Sequence, residues 1–166
     1  MPRGKLRGPP LNDPLAGTAP IFRICPDGTA KLIGTGIWLT TNGHLLTAAH
    51  VIDDNIGPDG VDIGPIWAVQ TLPDRRLLFR AFKRTDKHTR FDLALTETVA
   101  PRGMEGVATI AHMLTLEEPP RGARVHTHAF LSPEQVFTGE RYPGITTYRF
   151  EGEGRILETS QTFALR

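Results

Sequence analysis

Short apolar segments recur along the first hundred residues, and glycine, proline, asparagine or aspartate separates each from the next. This pattern predicts strands joined by turns instead of long helices. A single helical turn is expected from Ala48 to about Asp53. Strands of this length and spacing indicate a small closed antiparallel barrel. The six predicted strands are Ala19–Cys25, Lys31–Thr40, His44–Thr47, Pro65–Leu72, Leu77–Arg84 and Asp92–Val99.

The connection between the second and third predicted strands contains Asn42-Gly43. This pair favours a two-residue turn of the primed type, whose central positions both need positive φ. The hairpin leads directly into Thr47-Ala48-Ala49-His50-Val51. We therefore expect His50 at the end of a buried apolar strand.

The second half of the chain has a weaker pattern. Residues 100–122 are expected to form a connection with a short helix near Ile110–Leu116. The predicted domain organisation is a flexible leader (1–18), a first six-stranded barrel (19–99), the connection (100–122) and a partial second barrel (123–166). Four further strands are predicted, at Arg124–Phe130, Gln135–Thr138, Ile145–Phe150 and Arg155–Thr162.

Charge and cysteine content exclude several classes of protein. The formal net charge of the 166 residues is +1, which gives no general reason to expect nucleic acid or an anionic membrane as a partner. The basic N-terminus is followed by no apolar stretch, and no window approaches transmembrane length, so a cytoplasmic protein is predicted. The single cysteine, Cys25, rules out an intrachain disulfide and is interpreted as a packed strand residue.

His50 is the main candidate for chemistry, because small neighbours surround it and an imidazole can act as a general base near neutral pH. Such a base needs a partner on its other ring nitrogen. Asp92, at the mouth of an apolar strand, is predicted to be that partner as a buried carboxylate. Asp53 and Asp54 follow His50 too closely to reach around the ring, and Asp86 is expected in a charged loop.

Two other patterns have plainer interpretations. His126 and His128 would share one face of a strand and could pair on zinc, but no further ligand set has convincing spacing. The basic run from Lys83 to Arg90 could touch nucleic acid, yet it is better interpreted as a solvated loop between strands. We accordingly predict no metal, no cofactor and no nucleic-acid partner.

Two motifs, together with the residues before them, resemble those of trypsin-like serine proteases. Thr47-Ala48-Ala49-His50-Val51, preceded by Gly34-Thr35-Gly36, is similar to the histidine motif, and Phe91-Asp92-Leu93-Ala94-Leu95 is similar to the aspartate motif. Pro120-Arg121-Gly122-Ala123-Arg124-Val125 is similar to the entry into the second barrel. The likeness covers roughly residues 19 to 160. It implies an all-β double barrel with its catalytic residues in the cleft between the barrels.

The resemblance implies that His50 and Asp92 are two members of a Ser-His-Asp triad. The family's serine lies in a Gly-x-Ser-Gly-Gly segment, and this sequence contains none; Ser132 and Ser160 have no flanking glycines. The resemblance also implies six strands for the second barrel, where four are predicted, so that barrel is expected to be incomplete at the C-terminus.

The expected function is a serine endopeptidase domain whose nucleophile lies outside these residues, so that this chain by itself is inert. The alternative is a non-catalytic pseudoprotease or peptide-binding module that uses an open sheet edge. The partner is then a polypeptide substrate or a partner strand. Self-association through unpaired strand edges is a further expectation.

Overall fold

A computed structural model describes residues 17–40, 42–72, 77–103, 120–131 and 148–155. The described elements are eight strands and one short helix. In chain order they are β1 (Thr18–Ile24), β2 (Ala30–Trp38), β3 (His44–Thr47), α1 (Ala49–Asp53), β4 (Ile66–Thr71), β5 (Leu77–Lys87), β6 (Ala94–Val99), β7 (Arg124–Leu131) and β8 (Tyr148–Arg155).

The first six strands close into an antiparallel barrel in the order β1-β2-β3-β6-β5-β4, with β4 pairing back onto β1. Every strand of the barrel therefore has two neighbours, and no barrel edge is left unpaired. The expected all-β fold with a complete first barrel is confirmed.

The barrel interior is filled by side chains from opposite walls. Ile21, Trp38 and Leu45 have no exposed surface, and they form one cluster with Ala19, Ala68 and Val51 of α1. Burial of large apolar side chains makes the main favourable contribution to the free energy of folding. Because Val51 belongs to this cluster, the core also anchors the helix that carries His50.

Two irregularities in strand register shape the barrel. The β1–β2 register shifts between Ile21 and Phe22, and the β5–β6 register shifts between Phe82 and Arg84. Such bulges bend a strand and increase its twist, which helps a small barrel to close. β5 continues to Lys87, so most of the basic run that we predicted as a loop is strand; that prediction was wrong.

One predicted turn and one predicted strand end differ from the observed ones. Gly43 donates its N–H to the carbonyl of Thr40 and has φ of +95°, while Leu39 pairs with His44. The connection therefore spans the four residues from Thr40 to Gly43, and the predicted two-residue turn is wrong. Cys25 lies just after β1 instead of within it, because its carbonyl accepts the N–H of Gly28 to begin the next turn.

The described part of the second half is a two-stranded sheet, β7–β8. β7 agrees with its prediction, whereas β8 runs through residues 151–154, where we predicted a break between two strands. The sheet contacts the barrel where the N–H of Phe130 donates to Thr35 Oγ1 at 3.0 Å. Residues 1–16, the predicted helix at 110–116 and the predicted strand at 135–138 lie outside the described residues.

Within the described ranges, no helix has the length and apolar character needed to cross a bilayer.

Candidate active site

His50 is the second residue of α1, which follows β3 after one connecting residue, Ala48. The helix is placed by its next residue, Val51, whose side chain packs over Gly34 of β2. A Cβ at Gly34 would lie 2.6 Å from Val51 Cγ2, so only glycine leaves room for the helix at this distance. Gly34 thus has a packing role: it lets α1, and His50 with it, lie against the barrel. A Cβ at Gly36 would instead meet Leu45 of β3.

Asp92 contacts His50 at two points. The backbone N–H of His50 donates to Asp92 Oδ1 at 2.8 Å, and His50 Nδ1 lies 2.6 Å from Asp92 Oδ2. The first N–H groups of a helix have no partner within it, so one of them is available to the carboxylate. The N-cap residue, Ala48, has no side chain that could compete for it. The two contacts together fix both the carboxylate and the plane of the imidazole.

The pair is exposed, contrary to the prediction of a buried carboxylate. The side chains of His50 and Asp92 are 61% and 55% exposed. The reason is that β6 begins at Ala94, so Asp92 precedes the strand and lies in the loop at the barrel rim. The prediction that the strand begins at Asp92 was wrong by two residues.

The electrostatics favour the charged form of both partners. The hydrogen bond to Asp92 is the largest cause that raises the pKa of His50 above its ordinary value. Desolvation acts against it, and the charges of Asp92, Asp54 and Asp53 each add a smaller increase. The pKa of Asp92 is lowered, first by the backbone N–H of His50 and then by its ring. Since the two shifts have the signs expected of an ion pair, both support a proton held on Nδ1 between the two residues.

The loop that holds Asp92 is closed by its own hydrogen bonds. The N–H of His88 donates to the carbonyl of Leu93 at 2.8 Å, and the N–H of Leu93 donates to the carbonyl of Phe91 at 2.7 Å. The second bond forms a three-residue turn with Asp92 at its centre. The N–H groups of Arg90 and Phe91 both donate to His88 Nδ1 at 3.1 Å. Sequence reasoning missed His88, although a short loop with a hydrogen-bonding side chain at its first position is a recognisable signal.

Two of the three rival acids, Asp53 and Asp86, have other partners. Asp53 pairs with Lys87 Nζ at 2.5 Å, and Asp86 pairs with Arg84 at 3.1 Å. Asp86 lies on β5, which continues to Lys87, so the prediction of a charged loop around it was wrong. Lys83, in the same basic run, pairs with Glu97. These contacts leave Asp92 as the acid that the structure brings to the ring of His50.

Other candidates of the sequence are placed as follows. His126 and His128 lie two positions apart on β7, and their side chains are outside the described part of the structure. Ser132 and Ser160 lie outside the described residues altogether. Among the side chains that the structure does describe, no group of three histidine, cysteine or acidic residues is arranged to hold a metal ion.

Neither a comparison with family models nor one with curated proteins finds a match for this sequence. Solved structures do match it. The crystal structure of Deg5 superposes with a TM-score of 0.60 at 16% sequence identity, over 92% of this chain and 61% of that one. The structure of GrC gives a TM-score of 0.48 at 13% identity, over 86% of this chain and 61% of that one.

The chain therefore spans about three fifths of the length of either solved structure. At this level of identity the Deg5 comparison bears on fold alone. The shared fold is that of the trypsin-like serine proteases.

Proposed function

We propose that this chain is the first barrel and adjoining part of a trypsin-like serine endopeptidase domain, with His50 as general base and Asp92 as the residue that orients it. The observation that carries the proposal is the two-point contact between them. One carboxylate oxygen accepts the backbone N–H of His50, and the other accepts its Nδ1–H. This arrangement holds the imidazole in one orientation and one tautomer.

The chemistry follows from that tautomer. With its proton on Nδ1, His50 has a lone pair on Nε2, which can accept the proton of a serine hydroxyl as the serine attacks a peptide carbonyl. The resulting imidazolium is stabilised by Asp92 and can then protonate the leaving amine. Water attacks the acyl-enzyme by the same route, and the hydroxyl is regenerated.

The serine and the oxyanion hole would be supplied from outside these 166 residues, because the sequence contains no Gly-x-Ser-Gly-Gly segment. When a triad member is removed from a complete protease, about 10³–10⁴-fold catalysis over water remains through the oxyanion hole and substrate binding. The 166-residue chain would lack that remainder as well. We therefore expect it to be inert on its own.

A fluorophosphonate probe tests the proposal on the natural gene product, including any residues beyond Arg166. We expect covalent labelling of one serine at a rate that falls strongly in His50→Ala and Asp92→Asn. Asp86→Asn is the matched control, because Asp86 pairs with Arg84 away from His50, and its labelling should equal that of the wild type. The endopeptidase proposal would be contradicted if no serine of the natural gene product were labelled. It would also be contradicted if the serine were labelled equally fast in His50→Ala.

The alternative is a partner-binding module, and one feature favours it. Among the described residues, β7 and β8 pair as strands only with each other, so each has one edge without a described strand partner, although the N–H of Phe130 on β7 donates to Thr35 Oγ1. Such an edge can accept a peptide strand. Light scattering of the 166-residue chain, alone and with candidate peptides, tests this: a monomer that binds no extended peptide would exclude it.

A further inference from the structure

We infer that His88 is a positioning residue for the His50–Asp92 pair, and that it acts by accepting two backbone N–H groups of the Asp92 loop on one ring nitrogen. The inference rests on the proposed function, since it concerns how the acid of that site is held. It assigns a role to a residue outside the two sequence motifs of the site.

The hydrogen bonds define the role. His88 is the first residue after β5, and its Nδ1 accepts the N–H of Arg90 and the N–H of Phe91, each at 3.1 Å. Backbone N–H groups can only donate, so Nδ1 must present its lone pair and the neutral ring carries its proton on Nε2. Asparagine and aspartate commonly hold turns in this way through a side-chain oxygen. Here an imidazole does so.

The contacts lead from His88 to Asp92 through one residue, Phe91. Its N–H is held by His88 Nδ1 and its carbonyl accepts the N–H of Leu93. The two peptide groups of Phe91 are thus both fixed, and Asp92 is the next residue. The rings of His88 and Phe91 also pack together, with centroids 4.6 Å apart and planes inclined by 34°.

Positioning of this kind matters because Asp92 is exposed. No packed core surrounds its carboxylate, and the 2.6 Å contact with His50 Nδ1 depends on the path of the loop backbone. A loop at a barrel rim has few apolar contacts, so its local hydrogen bonds set its conformation. Removal of the acceptor at position 88 would release the N–H groups of the two residues that precede Asp92.

Two substitutions at position 88 separate the effect of the hydrogen-bond acceptor from the effect of the aromatic ring. His88→Asn places an amide oxygen at the position of Nδ1, because both atoms are bonded to Cγ. His88→Phe keeps an aromatic ring against Phe91 and removes the acceptor. The readouts are the NMR titration of His50 and the downfield resonance of its Nδ1–H proton, which a merely structural role for His88 would not change in a folded variant.

In the wild type we expect a downfield Nδ1–H resonance and a His50 titration midpoint above 6.5. His88→Phe should shift that midpoint toward 6.5 and lose the downfield resonance, whereas His88→Asn should keep both. Wild-type values in folded His88→Phe would overturn the inference, and so would loss of both signals in folded His88→Asn. A wild type without the downfield resonance would overturn the proposed His50–Asp92 pair together with this inference.

A measurement on the unaltered protein makes the test independent of how the variants fold. Long-range nitrogen–proton spectra distinguish the two neutral tautomers of each histidine. We expect a lone pair on Nδ1 of His88 and a proton on Nδ1 of His50. A neutral His88 with its proton on Nδ1 would overturn the inference, because that nitrogen could then accept neither N–H.

Discussion

At the centre of the barrel, Ile21, Trp38 and Leu45 have no exposed surface, whereas His50 and Asp92 at the rim each expose more than half of their side chains. The centre is held by close packing, which resists any added atom. The rim is held by a few hydrogen bonds and ion pairs, and these respond to protonation. The stability of the barrel should therefore respond to changes in side-chain volume. The candidate site should respond to changes in side-chain charge and in pH.

The interior contains a charge of its own, which sharpens the contrast. Arg80 is 2% exposed, donates from Nε to Gln70 Oε1 at 2.9 Å and lies over the ring of Trp38. Burial lowers the pKa of this guanidinium. Because the ordinary pKa of arginine is very high, the group still stays protonated at any physiological pH. Its charge is a fixed part of the scaffold, whereas the charge state of His50 can change near neutrality.

The largest effect should come from Gly64→Ala, at the closure of the barrel. The added methyl would collide with the carbonyl oxygen of Ile24, the residue whose N–H donates to Pro65 across the β1–β4 seam. Because the obstacle is backbone, we expect a loss of about 3 kcal/mol or more in the free energy of unfolding, measured by urea denaturation.

Gly57→Ala in the same connection is the matched control for Gly64→Ala. The nearest atom to its added methyl is the end of the Asp59 side chain, which can rotate away at the expense of its bond from the Val61 N–H. A loss of about 1 kcal/mol or less is expected. Equal losses at the two glycines would show that the closure at Gly64 is not tightly packed.

Gly34→Ala should have the next largest effect, because it acts where the core meets the site. Its methyl would lie 2.6 Å from Val51 Cγ2, and valine has little freedom to rotate. We expect a loss of about 1–3 kcal/mol. In a Val51→Ala background the same substitution should cost much less, and a double-mutant cycle measures the difference. Additive effects would mean that α1 does not pack against Gly34 in solution.

Asp92→Asn tests the rim alone. We expect the pKa of His50 to fall toward its ordinary 6.5, because the hydrogen bond to Asp92 is the largest cause of its increase. His50, with a raised pKa, contributes stability that is complete below pH 6.5 and is lost as pH rises through the folded-state value. Asp92, with a lowered pKa, contributes stability above its ordinary 3.8 that is lost as pH falls through its folded-state value.

The stability difference between wild type and Asp92→Asn should therefore be largest between about pH 3.8 and 6.5 and should shrink on both sides. Urea denaturation of both proteins across pH 3–9 measures it. A difference that does not vary with pH would show that the ion pair does not form in the folded protein.

The smallest effect is expected from Asp53→Asn. Asp53 pairs with Lys87 on the surface, and exposed pairs of this kind contribute about 0.2–1 kcal/mol. The charge of Asp53 is also a minor cause of the raised pKa of His50, so the His50 titration midpoint should fall slightly. Asp86→Asn, in the surface pair with Arg84, is the control and should leave that midpoint unchanged. Equal shifts in the two variants would mean that position 53 has no special effect on His50.

The strands of the first barrel could be predicted from sequence because their signals are local. Alternating apolar residues and bounding turn residues placed the six strands within a few residues of their observed limits. The extent of β5 could not be predicted in the same way. The register shift near Lys83 and the ion pairs of Arg84 and Lys87 let a charged segment continue the strand, and neither shows in the alternation of apolar and polar residues.

The candidate site was predicted in its residue types and not in its environment. The motifs around His50 and Asp92 indicated a histidine and its acid, and the structure brings them into contact. Their catalytic role stays a prediction. The exposure of Asp92 and the contribution of His88 depend on how the loop from His88 to Leu93 closes on itself, which apolar periodicity does not encode.

The sequence by itself determined that the chain forms short strands around an apolar core, and it singled out one histidine and one aspartate for chemistry. Side-chain type and spacing are sufficient for both, because apolar character and the capacity to exchange a proton belong to the individual side chains, and their spacing is given along the chain. Only the tertiary structure decided that His50 and Asp92 meet through two hydrogen bonds. It also decided that α1 packs against Gly34 and that His88 accepts an N–H of the loop that carries Asp92. Those features are distances between residues on different elements, and closure of the barrel sets them.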